Sequence, residues 1–473
     1  MDTPLSIFKK EEKMEKKRPF IHPYMPNSVP SIKKRMMEEI GIGDVDELFK
    51  DLPVKSKPPK LPGPMPEYDL GRHLQEILNR NRDDLLVFCG SGCWPHYVPA
   101  VVDEIINRTE FKTAYLGEPE PEKGKMQALF EFQSLIAELI EMDVVINSVY
   151  SEPAAASEAA NMARRLTGRS EILIPRSFND EKLQVMKNYT EWSGGRIHSV
   201  AYRSDNGKLD IRDLKKKISQ ETAAVFIDNP TYWGVLEDQV EEIAELAHSR
   251  GALFIVSADP ISLGVLKAPG SYPADIAVGS GQPLGLHMNF GGNSLGFFGC
   301  RSDPEYLDQL PGYVAAITTT MDGKERAYLD TLWEKRHFFF QRENATSMIG
   351  SASNLCAIGA AVYLSLLGPQ GLRELAEGIL QRTRYAMDQI SRLKKVRVPF
   401  LRQPHFKEFM VNFDPTGRTV RDVNRILLDK FKIVGGKDLS DDFPELGQSA
   451  LFCVTEIHTS GDIDRLIQAL KGF

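Results

Sequence analysis

Cysteine is scarce: there are five in 473 residues, an odd number, so they cannot all pair. Cys89, Cys93, Cys300, Cys356 and Cys453 fit reduced thiols in a cytoplasmic protein rather than a disulfide framework. Metal-ligand spacing is lacking too. Cys89 and Cys93 lie close together, but no second Cys or His pair follows, and they read as small apolar side chains at a strand end. Long apolar runs are missing. The longest, Cys356 to Leu367, is about 12 residues, too short for a hydrocarbon layer of roughly 30 Å. No signal peptide opens the chain. Positive charge is not in excess either, since net charge is −7. An acidic protein repels phosphate backbones and anionic lipid, so neither nucleic acid nor membrane is expected as a partner. The lysines near the start (Lys9, Lys10, Lys13, Lys16, Lys17) alternate with Glu11, Glu12 and Glu15 and read as a solvated tail.

What is present is an ordinary globular balance, 42% hydrophobic and 26% charged, in a chain long enough for two or three domains. Residues 1–66 read as a helical and extended arm. Val45 to Leu52 is a short amphipathic turn, and Ser56 to Pro66 is proline-rich, the composition of a segment that wraps a neighbour. Residues 67–330 alternate strand and helix patterns. Leu129, Phe132, Ile136 and Leu139 have helical spacing. Strands are expected at Glu171 to Ile174, Ala223 to Ile227, Leu253 to Val256 and Asp275 to Val278, with a helix at Val240 to His248. That rhythm implies a mainly parallel sheet covered on both faces. Residues 331–473 hold two long helices, Cys356 to Leu367 and Leu372 to Lys394. Antiparallel strands at Phe409 to Phe413 and Leu451 to Thr455 follow, then a helix at Ile463 to Leu470. A large α/β domain with a small C-terminal α+β domain is the build of the aspartate-aminotransferase-like fold, the pyridoxal phosphate (PLP)-dependent transferase fold type I.

Blocks from about residue 20 to the end carry a resemblance. They include His22 to Asn27, His96 to Asp103, Gln127 to Gln133, Ala258-Asp259-Pro260 and Ala274 through Gly281-Gln282-Pro283-Leu284-Gly285. Arg342, Ala345-Thr346-Ser347, Leu367-Gly368-Pro369 and Val454-Thr455-Glu456 complete the set. In these the chain resembles glycine dehydrogenase (decarboxylating) subunit 1, the α-subunit of the two-subunit P-protein of the glycine cleavage system. The resemblance implies a cytoplasmic enzyme subunit with no cofactor of its own, paired with a β-subunit whose lysine carries PLP. The pair would decarboxylate glycine and pass the aminomethyl group to the lipoyl arm of H-protein.

The residues can be set against what PLP needs. The imine-forming lysine slot, matched to the β-subunit pattern, falls on Pro283. The slot for an aspartate facing the pyridine nitrogen falls at Val256, and Asp259 is an odd offset away, at a turn. PLP phosphate favours a helix N-terminus, and here the candidate helix near Ala154 starts with Glu152 and Pro153, a carboxylate where an anion would sit. No catalytic, cofactor-binding or metal residue is therefore expected in this chain. Glu152, Val256, Gly281, Gln282, Pro283 and Arg342 are expected to mark a vestigial or interface site. Departures from the family at Glu122-Lys123, Ser151-Glu152-Pro153, Asn179 and Ser280 keep an alternative open, a diverged structural or regulatory paralogue acting with another small amine or amino acid. Lys267 reads as a surface turn residue, Gly90-Ser91-Gly92 and Gly291-Gly292 as tight turns, His96 as a core or interface histidine, and Phe338-Phe339-Phe340 as core or interface.

Overall fold

The computed structural model describes residues 21–52, 61–112, 119–289, 292, 294–329, 342–346 and 353–473. The lysine-rich start, residues 56–60 of the proline-rich stretch, Gly291, Ser347 and Phe338-Phe339-Phe340 lie outside the described residues, as does the expected boundary at 330/331. The chain divides into two compact units, the first ending at Asn81 and the second spanning Arg82–Phe473.

In the first unit the helix Pro30–Ile40 ends at Gly41, whose φ of 80° lets the chain turn back without a Cβ clash. Asp44 and Glu47 form a capping box on the 3-10 turn Val45–Phe49. The helix Glu67–Leu78 follows. None of the described residues of this unit is buried, and Leu70, Leu74, Ile77 and Leu78 line the last helix at helical spacing while exposed.

The second unit is built on a seven-stranded sheet. Its spatial order is Val144–Val145, Gly296–Cys300, Ile276–Ser280, Leu253–Ala258, Thr222–Asn229, Glu171–Pro175, Arg196–Val200. The last five of these run parallel, and the first two join antiparallel. The central strands are apolar on both faces because both are covered, as parallel sheets require. One apolar cluster contains Leu129, Phe132, Ile136 and Ile140 of the helix Pro119–Ile140 together with Val256 and Ala277. The other gathers the alanines of the helix Glu152–Thr167 over Ile174, Phe226 and Val278. A three-stranded antiparallel sheet, Glu408–Asn412, Ser449–Cys453 and Lys437–Asp438, carries the C-terminal core with the helix Ser460–Leu470.

The two expected long helices are present within the run Asn354–Ser391, divided by the non-helical Gly368 (φ 60°, ψ −178°) just before Pro369, whose ring disfavours a helical residue ahead of it. The first half of that run lies in the core, with Ala357, Ala360, Tyr363 and Leu364 buried in the same cluster as Leu284 and Leu286.

Candidate functional site

In an open α/β sheet the carboxyl ends of parallel strands end at different heights against their crossovers, leaving a crevice where ligands bind. Here the crevice is a cavity of about 1010 Å³. Three strand ends supply its floor: Asp228 closes the Thr222–Asn229 strand, Ser257 the Leu253–Ala258 strand, and Ser280 the Ile276–Ser280 strand.

One wall is the start of the helix Glu152–Thr167. Ser151 caps it, accepting from the Ala154 N–H, and Pro153 occupies a first-turn position where its missing N–H costs nothing. Glu152 turns its carboxylate inward. Its Oε1 accepts from Lys182 Nζ at 2.7 Å and from Ser257 Oγ at 2.6 Å. Lys182 reaches this point because Asn179 caps the helix Asp180–Thr190, which places Lys182 in its first turn facing the sheet. The same ammonium pairs with Asp228 and lies 4.5 Å above the Phe178 ring. One cation thus serves two carboxylates in a buried place. Burial pushes Lys182 down, but Asp228 and Glu152 outweigh it and hold the ammonium charged. Burial pushes Glu152 up, and Lys182 and Ser257 bring its carboxyl below the ordinary range. The excess negative charge falls on Asp228, raised by burial and by Glu152 to about 6 despite Lys182.

A second charged group comes from the segment before the Glu408–Asn412 strand. Lys407 is 2% exposed and has φ 63°, a left-handed conformation that costs a side-chain-bearing residue about 1 kcal/mol. It pairs with Asp259, lies 3.8 Å above the Trp94 ring, and donates to His96 Nε2 at 3.2 Å. Since an ammonium can only donate, His96 Nε2 accepts and Nδ1 carries the proton given to Glu456 Oε2, 2.8 Å away. Burial and Lys407 hold His96 below its ordinary pKa, so the ring is neutral. Next to Lys407, Glu408 points its carboxylate at the Ser91 N–H (2.6 Å). Burial pushes it up to about 7.

Of the residues expected at a vestigial site, the structure brings two to the cavity wall. Glu152 is one. Gln282 is the other: its side chain accepts from the Trp94 N–H (3.0 Å) and donates to the Trp94 and Leu286 carbonyls (3.1 and 3.0 Å). Gly281 packs beneath, where a Cβ would come within 2.4 Å of Leu295 Cδ2. Pro283 is buried beside it without lining the cavity, and Val256 lies in the core on the other face of its strand. Arg342 is exposed in the short turn Arg342–Asn344 and is not on the wall. Lys267 is an exposed turn residue, as expected, paired with Glu241. Asp259 does make the expected turn, its Oδ1 accepting from the Ile261 and Ser262 N–H groups, but its other oxygen holds Lys407 in the cavity. Sequence reasoning missed Lys182, Asp228, Lys407 and Glu408. Only Asn179, already marked as a departure, hinted at the first of them.

The cavity does not fit PLP. A carboxylate stands at the helix start that would take a phosphate, and both lysines on the wall are committed to carboxylates. Among the described residues no group of three His, Cys, Asp or Glu side chains could hold a metal ion.

The family model of the glycine cleavage system P-protein matches residues 23–470. A probable glycine dehydrogenase (decarboxylating) subunit 1 of Staphylothermus marinus is 42% identical over 463 residues, covering 95% of this chain and 97% of its own length. A counterpart from Saccharolobus islandicus is 39% identical over 458 residues, with coverage of 95% and 97%. The crystal structure of a glycine decarboxylase (P-protein) of the glycine cleavage system, in inhibitor-bound form, superposes with a TM-score of 0.81 at 33% identity, covering 96% of this chain and 99% of that one. A sphingosine-1-phosphate lyase from Burkholderia pseudomallei, 12% identical with a TM-score of 0.63 over 90% of this chain and 93% of its own, shares the fold alone. The architecture is the PLP-dependent transferase fold type I. By sequence along nearly its whole length, and by structure, this chain belongs to the glycine cleavage system P-protein family, among relatives named subunit 1.

Proposed function

We propose that this chain is the cofactor-free α-subunit of a glycine decarboxylase, a cytoplasmic protein that works with a PLP-bearing β-subunit. The pair decarboxylates glycine and delivers the aminomethyl group to the lipoyl arm of H-protein. One observation carries the reading: the anion place at the start of the helix Glu152–Thr167 is taken by Glu152 itself, fixed by Lys182 and Ser257. A dianionic phosphate there would meet a buried carboxylate, and the cost of forcing like charges together in a dry site exceeds what a helix start returns. The residues of the lysine and aspartate slots, Pro283 and Val256, are consistent with it, since neither can form an imine or pair with a ring nitrogen. The arm before Glu67 and the exposed stripe of Leu70, Leu74 and Ile77 are proposed to lie against the partner, which would give the apolar side chains the cover that they lack in this unit. Large and small domains, divided near residues 66 and 330, are proposed to form the two sides of the cleft.

The test is the purified chain mixed with PLP, followed by an absorbance scan and borohydride trapping. No pyridoxyl-lysine adduct is expected, and Pro283→Lys is expected to give the same blank, because Glu152 still denies the phosphate its place. A stoichiometric adduct in the natural chain would overturn the reading. Activity in glycine–bicarbonate exchange is expected only when the β-subunit is added.

A further inference from the structure

A cavity vacated by a phosphate-bearing cofactor would ordinarily keep the positive character that held the phosphate. This one is reversed. Its wall carries five carboxylates, Glu152, Glu181, Asp228, Asp259 and Glu408, against two ammonium groups, Lys182 and Lys407, and Glu181 pairs with Lys437, which does not line the cavity. Both lysines are used up in pairs with Glu152, Asp228 and Asp259. Glu408 is left over. It is 6% exposed, and among the described residues no ion pair reaches it; the Ser91 N–H is its hydrogen-bond donor from the backbone. Close in sequence to Tyr232, whose hydroxyl shares a 2.8 Å hydrogen bond with Ser91 Oγ, stands a second incomplete group. Thr231 lines the same cavity at 7% exposure, and its hydroxyl has no hydrogen-bond partner. A buried hydroxyl without a partner is costly and is ordinarily completed by a ligand or a water.

We propose that this cavity binds a small organic cation, a primary ammonium compound, with Glu408 as its counter-charge and Thr231 as a hydrogen-bond acceptor. A bare metal ion is a poorer occupant: no three ligating side chains among the described residues converge at metal-ligand spacing. The volume, about 1010 Å³, is that of a pocket for an organic molecule. Tyr150 and Tyr232 on the wall add ring faces and edges that suit an ammonium with an apolar body. Burial raises Glu408 toward neutrality, which is the behaviour of a carboxylate waiting for a cation. The inference rests on the reading that no PLP fills this cavity.

The experiment is calorimetric titration of the full-length chain with ethylammonium, butylammonium and benzylammonium chlorides at fixed ionic strength. Sodium acetate and inorganic phosphate serve as anionic controls, and PLP trapping is done first. Saturable binding of the amines is expected, tightening from ethyl to benzyl, with none for the anions. Glu408→Gln, which keeps the Ser91 hydrogen bond and the shape, is expected to weaken amine binding about tenfold or more, the scale of a lost charge-assisted hydrogen bond. Thr231→Val is expected to weaken it several-fold, with circular dichroism unchanged in both. Absence of saturable amine binding, phosphate binding in its place, or equal affinity in Glu408→Gln would overturn the proposal. A PLP adduct in the first step would instead sink the cofactor-free reading, so the two failures are distinguishable.

Discussion

Lys182 and Lys407 reach the same cavity from different elements, and they are held in opposite ways. Lys182 comes from a regular helix, sits in unstrained backbone, and neutralises two carboxylates from two other elements, the helix start at Glu152 and the strand end at Asp228. Lys407 comes from a strained residue with φ 63° and neutralises one carboxylate, Asp259, which already has two backbone N–H donors. Its other partners are a neutral imidazole and an indole face. The first lysine is a fastener without which two buried charges repel each other. The second is a local fitting whose loss strands a single carboxylate that is half provided for. The difference matters for function. The carboxylate at the start of the helix Glu152–Thr167 is held by the lysine whose loss is expected to cost more.

Breaking the comparison begins with Lys182→Met. It leaves Glu152 and Asp228 facing each other without a cation, and removal of one partner from a buried ionic group costs about 3 to 5 kcal/mol. Urea denaturation should show that loss, and adding Asp228→Asn should recover a good part of it, because the double variant no longer buries two unpaired charges. A loss under about 1 kcal/mol would mean that water reaches the triad and that Glu152 is free to move aside. Lys407→Met is expected to cost less, about 2 kcal/mol, since the Ile261 and Ser262 N–H groups still hold Asp259. If it cost as much as Lys182→Met, the asymmetry drawn here would be wrong.

The parallel core was legible because its strands are continuous apolar runs with little else to be. Thr222–Asn229 and Leu253–Ala258 extend the expected segments by a residue or two at the ends, and those added ends are where Asp228 and Ser257 stand. Polar residues at a strand end weaken an apolar pattern just where the chemistry begins, so periodicity stops short of the site. Three strands of the sheet escaped notice: Val144–Val145, two residues long and too short for a pattern to show, and two others for their own reasons. Arg196–Val200 is an edge strand whose residues are mostly exposed or half-buried, and it carries no apolar alternation. Gly296–Cys300 contains two glycines, poor strand formers. They are needed because a Cβ at Gly296 would lie 2.3 Å from the Ser151 carbonyl oxygen and one at Gly299 would lie 2.6 Å from Ile140 Cδ1. Glu152 and Gln282 were found from family blocks and from what a phosphate needs at a helix start. Lys182, Lys407 and Glu408 could not be, since a lone lysine in a helix or before a strand reads as a solvated side chain until the fold shows what surrounds it.

The smallest effect separates the two carboxylates that burial has raised, and it is read in pH. Glu408 is held up to about 7 and Asp228 to about 6, against ordinary values of 4.5 and 3.8. In each case the folded chain binds the proton more tightly than the unfolded one. The stability that this contributes is complete below the unfolded value and is lost as pH rises through the folded one. For Glu408 the window therefore runs from about 4.5 to 7, and for Asp228 it runs lower, from about 3.8 to 6. The groups facing Glu408 are the Ser91 N–H, Lys407, Asp259 and the Trp94 side chain, with Cys89 and Cys453 beyond. Burial holds the Cys89 and Cys453 thiols and the nearby Tyr232 hydroxyl above their ordinary values, so the window belongs to Glu408 itself. Denaturation of the natural chain and of Glu408→Gln should be compared at pH 5.5 and 7.5. The difference should move in favour of the glutamine variant by about 1 to 2 kcal/mol at the higher pH, at about 1.4 kcal/mol per unit over the part of the window crossed. The same comparison for Asp228→Asn should change little above pH 6.5, because Asp228 has ionised by then and Lys182 remains beside it. If the Glu408 difference stayed flat, the carboxylate would be open to water, and the leftover charge that distinguishes this side of the cavity from the Lys182 side would not exist.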